Sequence, residues 1–187
     1  MILFISGGAR SGKSKFAEER AIEQYMIRKT QATVKSDGGL YYIATAQAKD
    51  DEMRERVAKH QSDRSSLWQA IEEPFWISTI LRQRSSGDVI LFDCLTLWLS
   101  NGLFELGLGA DQLYQELRKW IELVRQRDLT LILVSNDVNE GIPLHSEIVQ
   151  VYMRTLGGLH QFLVSEATVA IQVIAGIPLY WKGELSE

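Results

Sequence analysis

The stretch "ILFISGGARSGKSKFAEER", residues 2–20, decides the fold because it joins three kinds of local sequence in a fixed order. Residues 2–6 are apolar and include β-branched and aromatic side chains, which is typical of a buried strand. Three glycines within residues 7–12 indicate a turn, and residues 13–29 are rich in the helix formers Lys, Glu, Ala and Arg. The stretch therefore predicts a strand, a glycine-rich loop and a helix.

The glycine-rich loop fits the phosphate-binding pattern G-x-x-x-x-G-K-[ST]. Its members, all predicted to contact a nucleotide, are Gly7, Gly8, Ala9, Arg10, Ser11, Gly12, Lys13 and Ser14. Backbone N–H groups in such a loop bind an anion, aided by the positive end of the helix dipole. We predict that Lys13 is a catalytic cation on the β- and γ-phosphates and that Ser14 ligates Mg²⁺. The alternative is a glycine-rich turn with a chance lysine, which the flanking strand and helix disfavour.

A second acidic ligand for Mg²⁺ is expected at the end of another buried strand. The stretch "VILFDC" (89–94) provides Asp93 directly after four apolar residues. A carboxylate at that position can hold the metal directly or through water. The alternative is an aspartate that caps the following helix; the phosphate-binding loop favours the metal role.

Strand-like and helix-like segments alternate along the chain, which predicts an α/β fold. We expect a three-layer fold of the P-loop NTPase type, with a mostly parallel central sheet, in a single domain over residues 1–187. The predicted strands are 2–6, 40–45, 88–93, 129–136 and 169–174; the predicted helices are 13–29, 50–64, 110–127 and 144–166. The loops 31–38 and 100–110 are the predicted flexible parts.

The composition excludes several classes of protein. The chain has 187 residues and a net charge of −4, which argues against a nucleic-acid-binding protein with a basic surface. One cysteine, Cys94, allows no disulfide within the chain and favours a cytoplasmic location. The apolar start, residues 1–6, is too short to cross a membrane, and no membrane span is predicted.

The segment "DDEMRERVAKHQSDR" (50–64) carries a second candidate for nucleotide chemistry. On a helix, Arg56, His60 and Arg64 follow one another at four-residue spacing and share one face. Two guanidinium groups beside an imidazole suit a phosphate, and a neutral imidazole there can attack an α-phosphorus. The alternative is a solvated helix face, in which Glu52 and Arg56 form a surface pair. Residue spacing alone leaves both interpretations open.

The order and spacing of the longer motifs resemble one known family, the bifunctional adenosylcobinamide kinase/adenosylcobinamide-phosphate guanylyltransferases of cobalamin biosynthesis. The stretches that carry the resemblance are "GGARSGKS" (7–14), "YIATAQAKDDEMRERVAKHQSDR" (42–64), "LWQAIEEP" (67–74), "LFDCLTLWLSNGL" (91–103) and "LVSNDVNEGI" (133–142). After residue 142 the match weakens: the family's arginine, aspartate and asparagine correspond to Gln150, Arg154 and His160. Neither His145 nor His160 is placed in the predicted site.

The resemblance implies two reactions at one nucleotide site. In the first, a nucleoside triphosphate, GTP or alternatively ATP, phosphorylates adenosylcobinamide. In the second, GMP from GTP passes through a histidine, matched to His60, onto adenosylcobinamide phosphate to give adenosylcobinamide-GDP. The resemblance also implies a homo-trimer and nucleotide contacts beyond the P-loop at Ala44, Thr45, Ala46, Gln61, Ser62, Asp63, Arg64, Glu72 and Asp93.

Glu72 has a chemical reason to recognise guanine. A carboxylate can accept hydrogen bonds from the N1–H and N2–H₂ edge of guanine, which adenine lacks. The alternative is a surface acid beside Glu73. Two other functions stay open from the sequence: a monofunctional P-loop kinase of another hydroxylated small molecule, and a nucleotide-binding regulatory protein.

Overall fold

The computed structural model describes residues 1–31, 38–46, 67–138 and 146–185. Within these ranges seven strands are formed: β1 (Ile2–Gly7), β2 (Leu40–Ala44), β3 (Trp68–Glu72), β4 (Val89–Asp93), β5 (Thr130–Asn136), β6 (Val169–Ile174) and β7 (Ile177–Lys182). The helices are α1 (Lys13–Gln31), α2 (Ile77–Leu81), α3 (Leu95–Ser100), α4 (Ala110–Gln126) and α5 (Glu147–Glu166), and a π-helical turn (Asn101–Glu105) continues α3.

The seven strands form a single sheet in the order β3-β2-β4-β5-β1-β6-β7. The first six are parallel to their neighbours, and β7 pairs antiparallel with β6. The carboxyl ends of six strands therefore lie at the same edge of the sheet, where ligands of open α/β sheets bind.

The sheet is the middle layer between helices on its two faces. On one face, Ala17, Ala21 and Tyr25 of α1 pack against alternate residues of β1 such as Leu3 and Ile5. On the other face, the apolar sides of α3, α4 and α5 cover the remaining strand residues and include the fully buried Trp98 and Trp120. Because both faces are covered, the central strands are apolar at nearly every position. The predicted three-layer, mostly parallel α/β fold is confirmed.

The secondary structure differs from the prediction in several places, among them the short helices α2 and α3, which were not predicted. Strands β3 and β7 were not predicted, and both lie at edges of the sheet. The prediction of a flexible loop over 100–110 is wrong for its first half, because Ser100 ends α3 and Asn101–Glu105 are π-helical. The predicted helix at 50–64 and most of the predicted loop at 31–38 lie outside the described residues.

Within the described ranges, no helix is both long and apolar enough to cross a membrane.

Candidate nucleotide site

The predicted strand, loop and helix are formed at the start of the chain. β1 ends at Gly7 and α1 begins at Lys13, so residues 8–12 make the connecting loop. Gly12 has a φ of +91°, a conformation that L side chains rarely adopt, which explains the glycine there. The loop therefore lies at the amino end of a 19-residue helix, where the dipole favours an anion.

Two polar side chains of this loop are buried. Ser11 Oγ is buried and has no hydrogen-bond partner in the described part of the chain. The Lys13 side chain folds back on its own loop, where Nζ donates to the carbonyl oxygen of Gly8 at 3.2 Å. Because buried polar atoms are normally satisfied, the Ser11 hydroxyl fits a site completed by a ligand oxygen.

The loop is also held from the far end of the chain. The Gly176 N–H, in the turn between β6 and β7, donates to the carbonyl oxygen of Ser11 at 2.8 Å. Ala175 and Gly176 both have positive φ, at 51° and 84°, as a two-residue hairpin turn of type I′ requires. The last hairpin of the sheet therefore supports the phosphate-binding loop, a contact that the sequence analysis did not predict.

Asp93 ends β4 at the same edge of the sheet as the loop. Only β5 separates β4 from β1 in the strand order. The hydroxyl of Tyr42 donates to Asp93 Oδ2 at 2.9 Å. Burial and the Asp93 carboxylate raise the pKa of the adjacent Cys94 thiol, and the Lys13 ammonium partly opposes them. Asp93 therefore lies at the carboxyl edge of the sheet with its carboxylate held by the Tyr42 hydroxyl.

Thr45 is fully buried and joins the ends of β2 and β4. Its hydroxyl accepts the Cys94 N–H at 3.0 Å and lies 3.3 Å and 3.2 Å from the carbonyl oxygens of Asp93 and Cys94. Its own N–H donates to the Asp93 carbonyl oxygen at 3.3 Å. The Thr45 side chain therefore supports the backbone around Asp93; its predicted contact with the nucleotide stays a prediction.

Glu72 is exposed at the carboxyl end of β3. In the sheet register, Ala44 of β2 lies between Glu72 on one side and Asp93 on the other. The structure thus brings together, at one edge, the phosphate-binding loop, Ala44–Ala46, Glu72 and Asp93. The other predicted site residues, His60, Gln61, Ser62, Asp63 and Arg64, lie outside the described residues.

Asp137, which the sequence analysis missed, also lies beside the loop. It follows β5, and its N–H donates to the carbonyl oxygen of Gly7 at 3.0 Å. Its carboxylate accepts hydrogen bonds from Ser6 Oγ at 3.3 Å and Gln172 Nε2 at 3.0 Å. The sequence signal that could have indicated Asp137 is the one that indicated Asp93, namely an acidic residue at the end of a buried strand.

His160 lies on α5 and contacts β5 close to the end of that strand. Its Nε2 is 2.7 Å from Ser135 Oγ, and its ring packs against Phe4. Burial lowers the pKa of His160, and the Asp137 carboxylate partly opposes that effect.

These features together define a P-loop nucleotide-binding protein: a parallel sheet, a glycine-rich loop with a buried lysine at a helix start, and an aspartate at a nearby strand end. The chain matches the CobU family, described as cobinamide kinase / cobinamide phosphate guanyltransferase, over residues 3–181. The chain belongs to this family. The expected family and its pair of transferase activities in cobalamin biosynthesis are confirmed.

Curated relatives align over nearly the whole chain. It is 36% identical over 181 residues to the bifunctional adenosylcobalamin biosynthesis protein CobP of Pseudomonas aeruginosa, covering 96% of each protein. It is 27% identical over 189 residues to the bifunctional adenosylcobalamin biosynthesis protein CobU of Escherichia coli, and this match covers 95% of this chain and 97% of the relative.

Among solved structures, a KaiC-like protein from Pyrococcus horikoshii is similar, with a TM-score of 0.50 and 12% identity. The match covers 91% of this chain and 69% of that protein. This similarity supports the fold.

Proposed function

We propose that this chain phosphorylates adenosylcobinamide and then transfers GMP from GTP onto adenosylcobinamide phosphate by way of a guanylylated His60. The observation that carries the proposal is the phosphate-binding loop, with its buried Lys13 and its unpartnered Ser11 hydroxyl, on the same sheet edge as Asp93. The family match supports the two reactions.

In the kinase step, the triphosphate of GTP or ATP lies over the loop. The substrate hydroxyl attacks the γ-phosphorus; an O–P bond forms, the bond from that phosphorus to the β–γ bridging oxygen breaks, the nucleoside diphosphate leaves, and the hydroxyl proton passes to solvent. Lys13 leaves the Gly8 carbonyl for the β- and γ-oxygens and stabilises their charge.

Ser14 and Asp93 are the residues that would hold Mg²⁺. A hydroxyl and a carboxylate oxygen are the hard donors that this ion prefers, and the nucleotide phosphates supply further oxygens. When bound, the ion neutralises charge on the phosphate oxygens. The Tyr42 hydroxyl, which donates to Asp93 Oδ2, fixes the orientation of that carboxylate.

In the transfer step, His60 attacks the α-phosphorus of GTP, an N–P bond forms and pyrophosphate leaves. A phosphate oxygen of adenosylcobinamide phosphate then attacks the same phosphorus and releases His60. We infer that Glu72 accepts hydrogen bonds from the guanine edge, and its exposure at the sheet edge beside Ala44 supports this role. We also infer that the chain forms a single domain, because all seven strands described share one sheet. We infer a cytoplasmic location because the chain has one cysteine.

A labelling experiment with two variants tests the proposal. The wild-type protein incubated with GTP labelled at the α-phosphate should acquire an acid-labile, base-stable label. His60→Ala should lose that label and guanylyl transfer while it still phosphorylates adenosylcobinamide from γ-labelled GTP. Lys13→Ala should lose both activities, because the cation on the β- and γ-oxygens is removed.

Lys15→Ala is the matched control, since that lysine is two residues away and its side chain is 84% exposed. It should keep both activities. A label that persists in His60→Ala would assign the nucleophile to a different residue. Loss of both activities in Lys15→Ala would show that the lysine effect is not specific to the site.

A further inference from the structure

Asn101 connects two parts of the site that are distant in sequence. This residue begins the π-helical turn after α3 and is 4% exposed. Its Nδ2 donates to the carbonyl oxygen of Thr45 at 3.0 Å and to that of Pro74 at 3.3 Å. One amide group therefore joins the residue after β2 to the segment after β3.

The identity of the side chain matters here. Both neighbours of Nδ2 are backbone carbonyl oxygens, which only accept hydrogen bonds. The NH₂ group of an asparagine satisfies both, whereas the oxygen of an aspartate would face two acceptors. A buried carbonyl left without a donor is costly, so this position depends on the amide.

The segment after β3 depends on contacts from α3 because β3 is an edge strand. Within the described ranges it pairs only with β2, and the Glu73 N–H donates to the Ala44 carbonyl oxygen at 3.1 Å just beyond that pairing. Beyond it, Trp98 Nε1 donates to the Phe75 carbonyl oxygen at 2.9 Å, one helical turn before Asn101. Unlike Trp98, Asn101 also donates to Thr45, the residue after β2.

The hydrogen bonds continue from Asn101 to the end of β4. Thr45, whose carbonyl accepts from Asn101, holds the backbone of Asp93 and Cys94 through its hydroxyl. A continuous series of contacts therefore runs from Pro74, two residues after Glu72, to Asp93.

We propose that Asn101 is a positioning residue for guanine recognition, which fixes the Glu72 strand end relative to Asp93 and the phosphate-binding loop. The inference rests on the proposed role of Glu72 as the guanine reader. Asn101 itself touches no substrate; it acts through the two backbone segments that it joins.

The test is the ratio of the dissociation constants for ATP and GTP, measured by calorimetry, in Asn101→Ala, Asn101→Asp and Asn101→Ser. We expect the ratio to fall by about tenfold in the alanine and aspartate variants, as the loss of one well-made polar contact implies. Serine keeps one donor and should fall between these variants and the wild type. Combined with Glu72→Ala, Asn101→Ala should reduce the ratio no further, because both changes act on the same contact.

Asp88→Asn is the matched control, because Asp88 lies directly before β4, at the opposite end of that strand from Asp93. Asp88 is buried, and its carboxylate accepts from the N–H groups of Gly39 at 2.7 Å and Ser85 at 2.9 Å. This substitution also weakens a buried link between a side chain and the backbone. It should lower the melting temperature and leave the nucleotide ratio unchanged.

Four outcomes that involve the Asn101 and Asp88 variants would overturn the inference. They are an unchanged ratio in folded Asn101 variants, an equal fall in Asp88→Asn, additive effects with Glu72→Ala, and failure of all three Asn101 variants to fold while Asp88→Asn folds. If Glu72→Ala alone keeps the full preference for GTP, the proposed reader is wrong and this inference fails with it. Loss of preference in Glu72→Ala but not in the Asn101 variants would overturn the Asn101 role alone.

Discussion

Single residues in this fold act through partners that are close in space and far apart in sequence. His160 is an example, because its imidazole is buried against Phe4 and contacts Ser135 on a neighbouring strand. Burial lowers its pKa in the folded protein below the ordinary value of 6.5. The unfolded chain therefore binds this proton first as the pH falls.

The pH dependence of stability follows from that shift. The contribution of neutral His160 is fully present above about pH 6.5 and is lost as the pH falls through the lower folded-state pKa. His160→Asn keeps a group that can bond Ser135 but does not titrate. Between about pH 7 and pH 5, the melting temperature of the wild type should fall more steeply than that of His160→Asn. Parallel curves would contradict this, and the other two histidines are present in both proteins.

Some residues of the candidate site could be predicted from the sequence and others could not, for a physical reason. The placement of Lys13, Ser14 and Asp93 follows from local rules, namely a spaced motif and an acid at the end of a buried strand, and their roles stay predictions. The role of Asn101 depends on a carbonyl 56 residues earlier, so no local pattern indicates it. The hydrogen bonds of the Thr45 hydroxyl with Asp93 and Cys94 are likewise distant in sequence, and its predicted contact with the nucleotide stays a prediction.

At the scale of elements, periodicity predicted the buried ones best. The helical stripe of Leu113, Leu117, Trp120 and Val124 on α4 is fully buried, as its spacing indicated. The two strands that were missed, β3 and β7, lie at the sheet edges and are largely exposed. An exposed edge strand needs no continuous apolar run, so its sequence carries a weak signal.

The edge strand β7 is tied to the end of α5 by one lysine. Lys182 Nζ donates to the carbonyl oxygens of Val164 at 2.9 Å and Ser165 at 2.8 Å, in the last turn of that helix. A cation at a helix carboxyl end interacts favourably with the dipole and the unpaired carbonyls. Lys182→Met should therefore lower the free energy of unfolding by about 1 kcal/mol.

Urea unfolding measures this effect. Lys15→Met is the control, because Lys15 is exposed and its single ion pair, with Glu19, is long at 4.0 Å and lies on the surface of the described part of the chain. Its substitution should change the free energy of unfolding by less than about 0.5 kcal/mol. Equal effects of the two substitutions would show that the helix-end contact of Lys182 contributes nothing specific.

At the scale of the whole molecule, the apolar excess of the segment 94–109 is consistent either with a contact between subunits or with a role in the core. The structure places Leu95, Trp98 and Leu99 of this segment in the core and leaves Phe104 and Leu106 exposed. The Phe104 ring stacks on Tyr152 of α5, with centroids 6.2 Å apart. Burial in the core therefore explains most of the apolar residues in this segment. The exposed apolar residues near its end are the ones available for a contact between subunits.

A symmetric oligomer, expected as a trimer from the family resemblance, stays a prediction that light scattering can test. The wild-type chain at micromolar concentration should have a mass well above that of one subunit. Phe104→Arg places a charge on a side chain that is 54% exposed, so it should lower that mass if this aromatic pair is covered by a second copy. Met26→Arg, on the 46% exposed methionine of α1, is the matched control and should leave the mass unchanged. A monomeric wild type would contradict the oligomer itself. An unchanged oligomer mass in Phe104→Arg would show that the interface lies on another surface.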